Sequence, residues 1–263
     1  MKKICILGGL IALIVALSSC NGVNKLLKSN DYEAIYEEGV KRYESEDYTR
    51  ALQLFDHVAP LIRGTAKAEQ LAYYNAYCYY NLNENIMASY YFKRFAKDFP
   101  RSEFAEECAF MGAYCKYLES PKSSLDQTNT YEAITELQLF INLYPDSDRI
   151  EECNSLIDEL RKKLEKKDFE IAQLYLKMEE YKAALTSLNN IIKKYPSTTY
   201  KEDVLYYVVI ENNEFAKNSV ADKQVERYQE TLEASNRFLD IYPESQYLKH
   251  IEQMTGDARS MVE

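Results

Sequence analysis

One short motif recurs four times along this chain and constrains its fold more than any other feature. It consists of an aromatic residue, a proline, any residue and then serine or threonine, and it reads FPRS, YPDS, YPST and YPES at intervals of about 45 residues. Proline cannot continue a helix and disfavours helix in the residue before it, whereas serine and threonine favour helix N-caps. The motif therefore predicts the end of one helix and the beginning of the next. Its prolines are Pro100, Pro145, Pro196 and Pro243.

Small and large residues recur at fixed distances before these prolines. A small residue stands twelve positions before each proline, and in three of the copies a large residue follows it four positions later. Small residues allow two helices to approach closely, and the large residue fills the space between neighbouring pairs. The small residues are Ala88, Ala133, Ala184 and Thr231, and the large ones are Phe92, Leu137 and Leu188, with Ser235 breaking the pattern.

This spacing predicts five helix pairs and a final helix that covers the open end. Only seven glycines occur in 263 residues, which leaves little room for the tight turns of an all-β fold. The spacing is similar to that of the tetratricopeptide repeat, so we expect an all-α, right-handed tetratricopeptide-like solenoid. Asp148 with Glu151 and Thr199 with Glu202 resemble capping boxes. The predicted pairs span residues 31–62, 66–99, 102–144, 148–195 and 200–242, the final helix spans about 245–261, and 120–128 form an inserted loop.

The N-terminus has the form of a lipoprotein sorting signal. Two lysines precede an apolar run that is too short to span a bilayer comfortably and is typical of a secretory signal peptide. The Leu-Ser-Ser-Cys sequence ending at Cys20 resembles a lipobox, which implies a signal peptide at 1–19 and acyl chains on Cys20. Asn21 follows instead of the familiar inner-membrane retention aspartate, so we expect a lipidated tether at 20–30 on the periplasmic face of the outer membrane. An ordinary signal peptide followed by a free thiol is the alternative.

Charge and motif content exclude several classes of function. The formal net charge is −10 without a run of lysine or arginine, which argues against nucleic-acid binding. The common hydrolase, metalloprotease and P-loop signatures are absent from the sequence, and His57 and His250 are far apart. We therefore expect a binding protein without a cofactor or a metal site. Its later cysteines are expected as buried thiols, with a disulfide such as Cys78 to Cys108 left open.

Tyrosine is unusually frequent, with 24 residues against no tryptophan. Tetratricopeptide-like repeats present a concave groove, lined by the first helix of each pair. Groove-facing tyrosines concentrate in the first two pairs, and they would suit a peptide groove because tyrosine combines a large contact area with a hydroxyl group. Ordinary packing between repeats is the alternative for any single ring. The candidate residues are Tyr36, Tyr43, Tyr73, Tyr77, Tyr80 and Tyr117.

The lipobox cysteine, the helix pairs and the recurrent YPxS motif together resemble one family. That family is BamD, also called YfiO or ComL, the lipoprotein of the machine that assembles β-barrels in the outer membrane. The resemblance covers the whole mature chain, and FPRS, YPDS and YPES are its most specific local matches. It implies that residues 31–144 receive unfolded outer-membrane protein precursors and that residues 145–263 dock on the POTRA domains of a BamA-type Omp85 barrel. Other lipoproteins of the assembly machine would be further partners.

Two other classes of protein are alternatives to this reading of the sequence. A SusD-like glycan-binding lipoprotein also contains tetratricopeptide helices, but such chains are much longer and usually stack sugars on tryptophan. A periplasmic adaptor for cell-wall synthesis normally lacks a lipobox and carries an N-terminal coiled coil, whereas the helix pairs here begin soon after Cys20. Both therefore fit the sequence less well than the BamD family.

Overall fold

The computed structural model describes residue 23, residues 25–29 and residues 31–263. The predicted signal peptide and Cys20 lie outside the described residues. From residue 31 to the C-terminus the chain forms eleven helices, and every regular element in that range is helical. The helices are α1 (Tyr32–Glu44), α2 (Tyr48–Val58), α3 (Ala66–Asn81), α4 (Asn85–Asp98), α5 (Ala105–Leu118), α6 (Thr128–Leu143), α7 (Ile150–Lys177), α8 (Tyr181–Lys194), α9 (Lys201–Lys217), α10 (Ala221–Ile241) and α11 (Leu248–Val262).

The order and packing of these helices confirm the predicted all-α fold of helix pairs. All five predicted pairs are present, and their outer ends lie within four residues of the predicted bounds. Helices α1 and α2 pack against each other, as do α3 and α4, α5 and α6, and α9 and α10, while α11 packs on α10. The predicted inserted loop separates α5 from α6. Within the part of the chain that the structure describes, no helix is both long and apolar enough to cross a membrane.

The aromatic-Pro-x-Ser/Thr motif forms the same double turn in all four copies. The amide of the serine or threonine donates to the carbonyl of the motif's aromatic residue at 3.0 to 3.3 Å, and the amide three residues further donates to the serine or threonine carbonyl. The hydroxyl oxygen accepts the amide two residues further on, as in the 3.0 Å bond from Tyr247 N–H to Ser245 Oγ. The predicted N-cap role of the serine or threonine is therefore wrong, because Tyr200 and Tyr247 are the N-caps of α9 and α11.

In three copies the same hydroxyl also joins one helix pair to the pair before it. It donates to a glutamate on the first helix of the preceding pair, so the turn ties two consecutive repeats together through a charge-assisted hydrogen bond. One of these glutamates is Glu202, which does not form the predicted capping box with Thr199 because α9 has no side-chain cap. The hydrogen bonds are Ser147 Oγ to Glu106 Oε1 at 2.5 Å, Thr198 Oγ1 to Glu165 Oε1 at 2.5 Å and Ser245 Oγ to Glu202 Oε1 at 2.6 Å.

Three turns inside the helix pairs adopt a backbone conformation that usually calls for glycine. Glu46, Asn83 and Glu179 have φ angles of 61°, 61° and 58°. In the first of these turns the amide of Asp47 donates to the carbonyl of Arg42 at 2.9 Å, which is the long hydrogen bond of a Schellman motif. A left-handed conformation costs a non-glycine residue roughly 1–2 kcal/mol. The two glutamates therefore lower the stability of these turns relative to glycine.

The residues of the predicted spacing pattern lie at the contacts between helices. The small and large residues that define the pattern are all fully buried. A Cβ atom added to Gly39 would lie 2.6 Å from Cε1 of Phe55, so α1 and α2 pack this closely only around glycine. Ser235, which breaks the pattern, is also fully buried and donates to the carbonyl of Thr231 at 2.8 Å, while the nearby Phe238 supplies the bulk.

Residue contacts divide the chain into two compact units. The N-terminal unit extends to residue 121 and includes 127–160, and the C-terminal unit comprises residues 122–126 and 161–263. The N-terminal unit is built around fully buried rings such as Phe55 and Phe92, and the C-terminal unit around residues such as Leu188 and Phe238. The functional boundary between residues 144 and 145 stays a prediction.

Part of the predicted tether packs against the N-terminal unit. Val23 is only 4% exposed and belongs to the same buried cluster as Ile35 and Phe55. Leu26 and Leu27 are half-buried against that cluster. The chain therefore joins the folded body by residue 23.

All four cysteines that the structure describes are buried free thiols, and all lie in the N-terminal unit. Burial raises the pKa of the Cys108 thiol to about 12 and that of the Cys153 thiol to about 11. Their predicted role as small buried hydrophobes is confirmed, and the disulfide that the sequence left open is not formed. The four residues are Cys78, Cys108, Cys115 and Cys153.

Candidate functional site

Three of the candidate tyrosines lie along one face of α3. Tyr73, Tyr77 and Tyr80 follow the spacing of three and four residues that brings side chains together on a helix. The ring centroids of Tyr73 and Tyr77 are 4.7 Å apart, and those of Tyr77 and Tyr80 are 6.3 Å apart. Phe92 of α4 approaches Tyr77 edge-on at 4.9 Å. The three tyrosines are half-buried within the N-terminal unit.

Tyr43 joins this row through aromatic residues that the sequence analysis missed. The ring of Tyr74 lies 4.5 Å from that of Tyr43 and 6.2 Å from that of Tyr73. Tyr48, at the start of α2, lies 5.8 Å from Tyr43 on its other side. The contacts therefore form a continuous row of rings from α2 to α3. Tyr74 is adjacent to a candidate in the sequence, but it lies outside the helical phase that the groove prediction followed.

Tyr36 is connected to the row by hydrogen bonds and is almost fully buried. Its hydroxyl donates to Gln70 Oε1 at 2.8 Å, and Gln70 Nε2 donates to the Tyr74 hydroxyl at 2.8 Å. The Lys67 ammonium lies 4.9 Å from the centre of the Tyr36 ring and is paired with Glu33. Burial raises the pKa of Tyr36, with smaller contributions from Tyr74 and Glu33. We call these rings the tyrosine network, which comprises Tyr36, Tyr43, Tyr48, Tyr73, Tyr74, Tyr77 and Tyr80.

Glu107 of α5 holds the hydroxyl groups of two network residues. Tyr77 donates a short hydrogen bond to Glu107 Oε1, and Tyr73 donates to the same oxygen at 3.4 Å. Burial raises the pKa of both tyrosines, and the carboxylate contributes to the rise because it favours the neutral phenol. Phe104, which the sequence analysis also missed, lies 4.8 Å from Tyr73 and is 37% exposed. Phe104 therefore extends the aromatic surface from Tyr73 to the solvent.

Tyr117 is not part of the tyrosine network. Its hydroxyl donates to Glu159 Oε2 at 2.8 Å, and its ring stacks on Tyr114 with centroids 5.7 Å apart. Burial, followed by the hydrogen bond to Glu159, raises the pKa of Tyr117 to about 12. The structure therefore brings five of the six candidates together and places the sixth in a separate contact.

This arrangement offers ring surface more than hydroxyl groups to a ligand. The hydroxyls of Tyr36, Tyr73 and Tyr77 are already bonded within the protein, and burial raises their pKa values further above physiological pH. Half-buried rings present their edges and parts of their faces, which suit offset or edge-to-face contacts with other aromatic groups. An apolar or aromatic peptide segment is the kind of ligand that such a surface can hold.

Paired helices along the described chain define an all-α helical-repeat protein, which carries a row of partly exposed rings on its N-terminal unit. The chain belongs to the YfiO family, whose description is "Outer membrane lipoprotein" and whose profile matches residues 28–227. It is accordingly an outer membrane lipoprotein and not an enzyme.

Relatives and a solved structure extend this comparison. An outer membrane protein assembly factor BamD of Caulobacter vibrioides is 23% identical over 221 residues, covering 80% of this chain and 72% of the relative. A BamD of Neisseria gonorrhoeae is 23% identical over 269 residues, and this alignment covers 95% of this chain and 95% of the relative. The solved structure of the tetratricopeptide domain of P58(IPK) aligns with 91% of this chain, and the alignment covers 67% of the P58(IPK) chain. The sequence identity is 15% and the TM-score is 0.41.

Proposed function

We propose that this lipoprotein is a scaffold and receptor of the β-barrel assembly machine. It receives unfolded outer-membrane protein precursors at the tyrosine network and docks on the POTRA domains of a BamA-type barrel. The observation that carries the proposal is the continuous row of half-buried rings within the N-terminal unit. Family membership and the description of the relatives as assembly factors support it over glycan capture and cell-wall coordination.

The tyrosine network suits a receptor that must release its ligand. Each aromatic contact contributes about 0.5–1.5 kcal/mol beyond the area it buries, so several contacts add up to binding while none is strong alone. A precursor segment rich in aromatic residues would place its rings against Tyr73, Tyr77 and the exposed edge of Phe104. Because the hydroxyls of Tyr36, Tyr73 and Tyr77 are bonded within the protein, a ligand at these residues would be chosen by ring contacts rather than by hydrogen bonds to tyrosine.

The lipid anchor and the C-terminal repeats complete the proposal. Acyl chains on Cys20 would hold the protein at the inner leaflet of the outer membrane, where the barrel partner is also inserted. Residues 145–263 would then contact the POTRA domains and other lipoproteins of the machine. The substitution Cys20→Ala tests the anchor, because it should move the protein from the membrane fraction to the soluble periplasmic fraction.

The first test of the partners is a pull-down from detergent-solubilised membranes with a C-terminal tag on the full chain. Mass spectrometry should find an Omp85-type barrel with POTRA domains in near-equal amount. Recovery of cell-wall synthesis proteins or of a glycan transporter in its place would contradict the proposal.

The second test concerns the tyrosine network itself. We expect the double variant Tyr73→Ala and Tyr77→Ala to bind a C-terminal precursor peptide at least about tenfold more weakly, a loss of about 1.4 kcal/mol. Tyr73→Phe with Tyr77→Phe should retain most of the binding because it keeps the rings. Tyr206→Ala is the matched control, since its ring stacks on Tyr247 in the C-terminal unit at 3.8 Å. An equal loss in the control would contradict the assignment of the site.

A further inference from the structure

Only a very short segment separates the proposed acylation site from the folded body. Val23 is 4% exposed and belongs to a buried cluster of the N-terminal unit. It follows Cys20 by three residues in the sequence, and an extended chain spans at most about 3.6 Å per residue. The Cα atoms of Cys20 and Val23 are therefore no more than about 11 Å apart. Acyl chains on Cys20 would hold this part of the N-terminal unit against the bilayer surface.

The helical turn that begins at Val23 buries its apolar side chains and exposes its basic ones. Val23, Leu26 and Leu27 have the spacing of one helix face, and all three pack in the same buried cluster. Lys25 and Lys28 are both exposed. They are three residues apart, which makes them neighbours on a helix surface. The two lysines therefore share the side of the turn that faces away from the cluster.

These lysines form a local positive charge on an acidic protein. Among the described residues neither of them is paired with a carboxylate. The acidic residues that follow have other partners, since Asp31 Oδ1 accepts the amide of Ala34 at 3.1 Å. Glu33 is paired with Lys67. Residues 21–30 contain no acidic residue at all, whereas the whole chain has a formal net charge of −10.

We propose that Lys25 and Lys28 contact the phosphate groups of anionic phospholipids at the surface of the membrane that holds the anchor. This inference rests on the proposed acylation of Cys20. An anionic bilayer attracts basic side chains that lie close to it, and the attraction falls off over a Debye length of about 8 Å at physiological salt. The short segment after Cys20 keeps both lysines near this range, and the flexible stem of lysine lets its ammonium group reach the headgroups.

An acidic segment of a partner protein is the other occupant that two lysines could attract. The length of the chain favours the lipid, because a surface within about 11 Å of an acylated cysteine lies beside the headgroups whether or not a partner is present. The N-terminal unit, which carries the tyrosine network, then rests on the bilayer with Lys25 and Lys28 toward the lipid.

The experiment uses the acylated protein in two kinds of nanodisc, one of neutral phosphatidylcholine and one in which phosphatidylglycerol replaces part of it. A water-soluble reagent acylates exposed amines, and mass spectrometry gives the rate at each lysine. We expect Lys25 and Lys28 to react at least about threefold more slowly in the anionic nanodiscs, and high salt should reduce this protection. Lys97 is the matched control, because it is exposed on the same unit and should react equally in both.

A lengthened tether tests the geometry. A flexible Gly-Ser insertion of about ten residues after Gly22 would let the folded body move away from the bilayer, so most of the protection of Lys25 and Lys28 should be lost. Protection that persists undiminished in this variant would overturn the inference. So would equal protection of Lys97, because the effect would then not belong to the turn beside the anchor.

The same spectra separate this inference from the proposed function. The mass of the N-terminal peptide shows whether Cys20 carries acyl chains, and their absence would contradict the proposed anchor together with this inference. On protein that is acylated, equal rates for Lys25 and Lys28 in the two nanodiscs would overturn the lipid contact alone. The proposed receptor role of the tyrosine network would then stand.

Discussion

Helices α3 and α9 are each the first helix of a helix pair, but they bury different types of side chain. On α3 the half-buried face carries three tyrosine rings that contact one another. On α9 three consecutive polar residues, Glu211, Asn212 and Asn213, are each no more than 9% exposed. Asn212 donates to the carbonyl of Val208 at 3.0 Å, but Glu211 Oε2 and Asn213 Oδ1 have no partner among the described residues. The repeat spacing thus determines how helices pair and leaves the side-chain chemistry of the first helix free.

The difference has a consequence for stability. Aromatic pairs contribute about 0.5–1.5 kcal/mol beyond area burial, whereas an unpartnered buried polar group costs roughly 1–3 kcal/mol. Among the described residues α9 has two such atoms and α3 has one, Asn75 Oδ1, so the polar stretch of α9 is a weak point of the C-terminal unit. We expect that unit to unfold at a lower urea concentration than the N-terminal unit does.

The largest expected effect comes from removing a ring beneath the tyrosine network. Phe92 is fully buried and contacts both Tyr77 and Tyr80, so Phe92→Ala should lower the free energy of unfolding by about 3–5 kcal/mol. The near-ultraviolet circular dichroism of tyrosine should fall with it. Phe238→Ala in the C-terminal unit is the matched control, with a similar loss of stability and a smaller change in that signal. An equal change in both variants would contradict the network as the source of the signal.

Titration of Glu211 tests the weakness of α9. Burial, followed by the charges of Glu214 and Glu179, raises the pKa of Glu211 from its ordinary 4.5 to about 7. Between these values the folded state binds a proton that the unfolded state has lost, so stability falls as pH rises through this range. We expect a loss of about 1–3 kcal/mol in urea unfolding between about pH 5 and pH 8, and Glu211→Gln should remove it. Glu214→Gln should instead move the midpoint of the loss to lower pH.

Two glycine substitutions should act in opposite directions. Gly39→Ala drives its new methyl group into Phe55 and should destabilise the N-terminal unit by about 1–3 kcal/mol. Gly256 lies inside α11 with open space around it, so Gly256→Ala should stabilise by about 0.5–1 kcal/mol. Thermal unfolding should show a lower midpoint temperature for Gly39→Ala and a higher one for Gly256→Ala than for the wild-type protein. A neutral Gly39→Ala would show that α1 and α2 can separate without cost.

The smallest expected effect concerns the left-handed turns. Glu179→Gly should raise the free energy of unfolding by about 0.5 kcal/mol, because glycine adopts this conformation without strain but loses more freedom on folding. Glu46→Gly is its counterpart in the N-terminal unit and should show a similar gain. If only one of the two gained stability, the turns would differ in more than backbone strain.

The sequence predicts the backbone of this protein much better than its side-chain partners. Helix pairs follow from residues such as Pro145 and Ala133, because helix ends and close helix contacts depend on local chemistry. The hydrogen bond from Ser147 to Glu106 and the ring contact of Tyr74 with Tyr43 join residues that are distant in sequence. Such contacts depend on how one helix pair packs on the next, which spacing alone does not determine. The left-handed Glu179 also escaped prediction, since no glycine marks it.

The four buried thiols report on local opening of the N-terminal unit through the rate at which they are alkylated. Alkylating reagents attack the thiolate, and a buried cysteine whose pKa is raised to about 12 is almost entirely protonated near neutral pH. These cysteines should therefore react only when the N-terminal unit opens, while residues 161–263 contain none to react. The rate of alkylation measures how often the N-terminal unit opens, and it does so without a probe being introduced. The burial of these thiols also explains how the protein tolerates four free cysteines in an oxidising compartment.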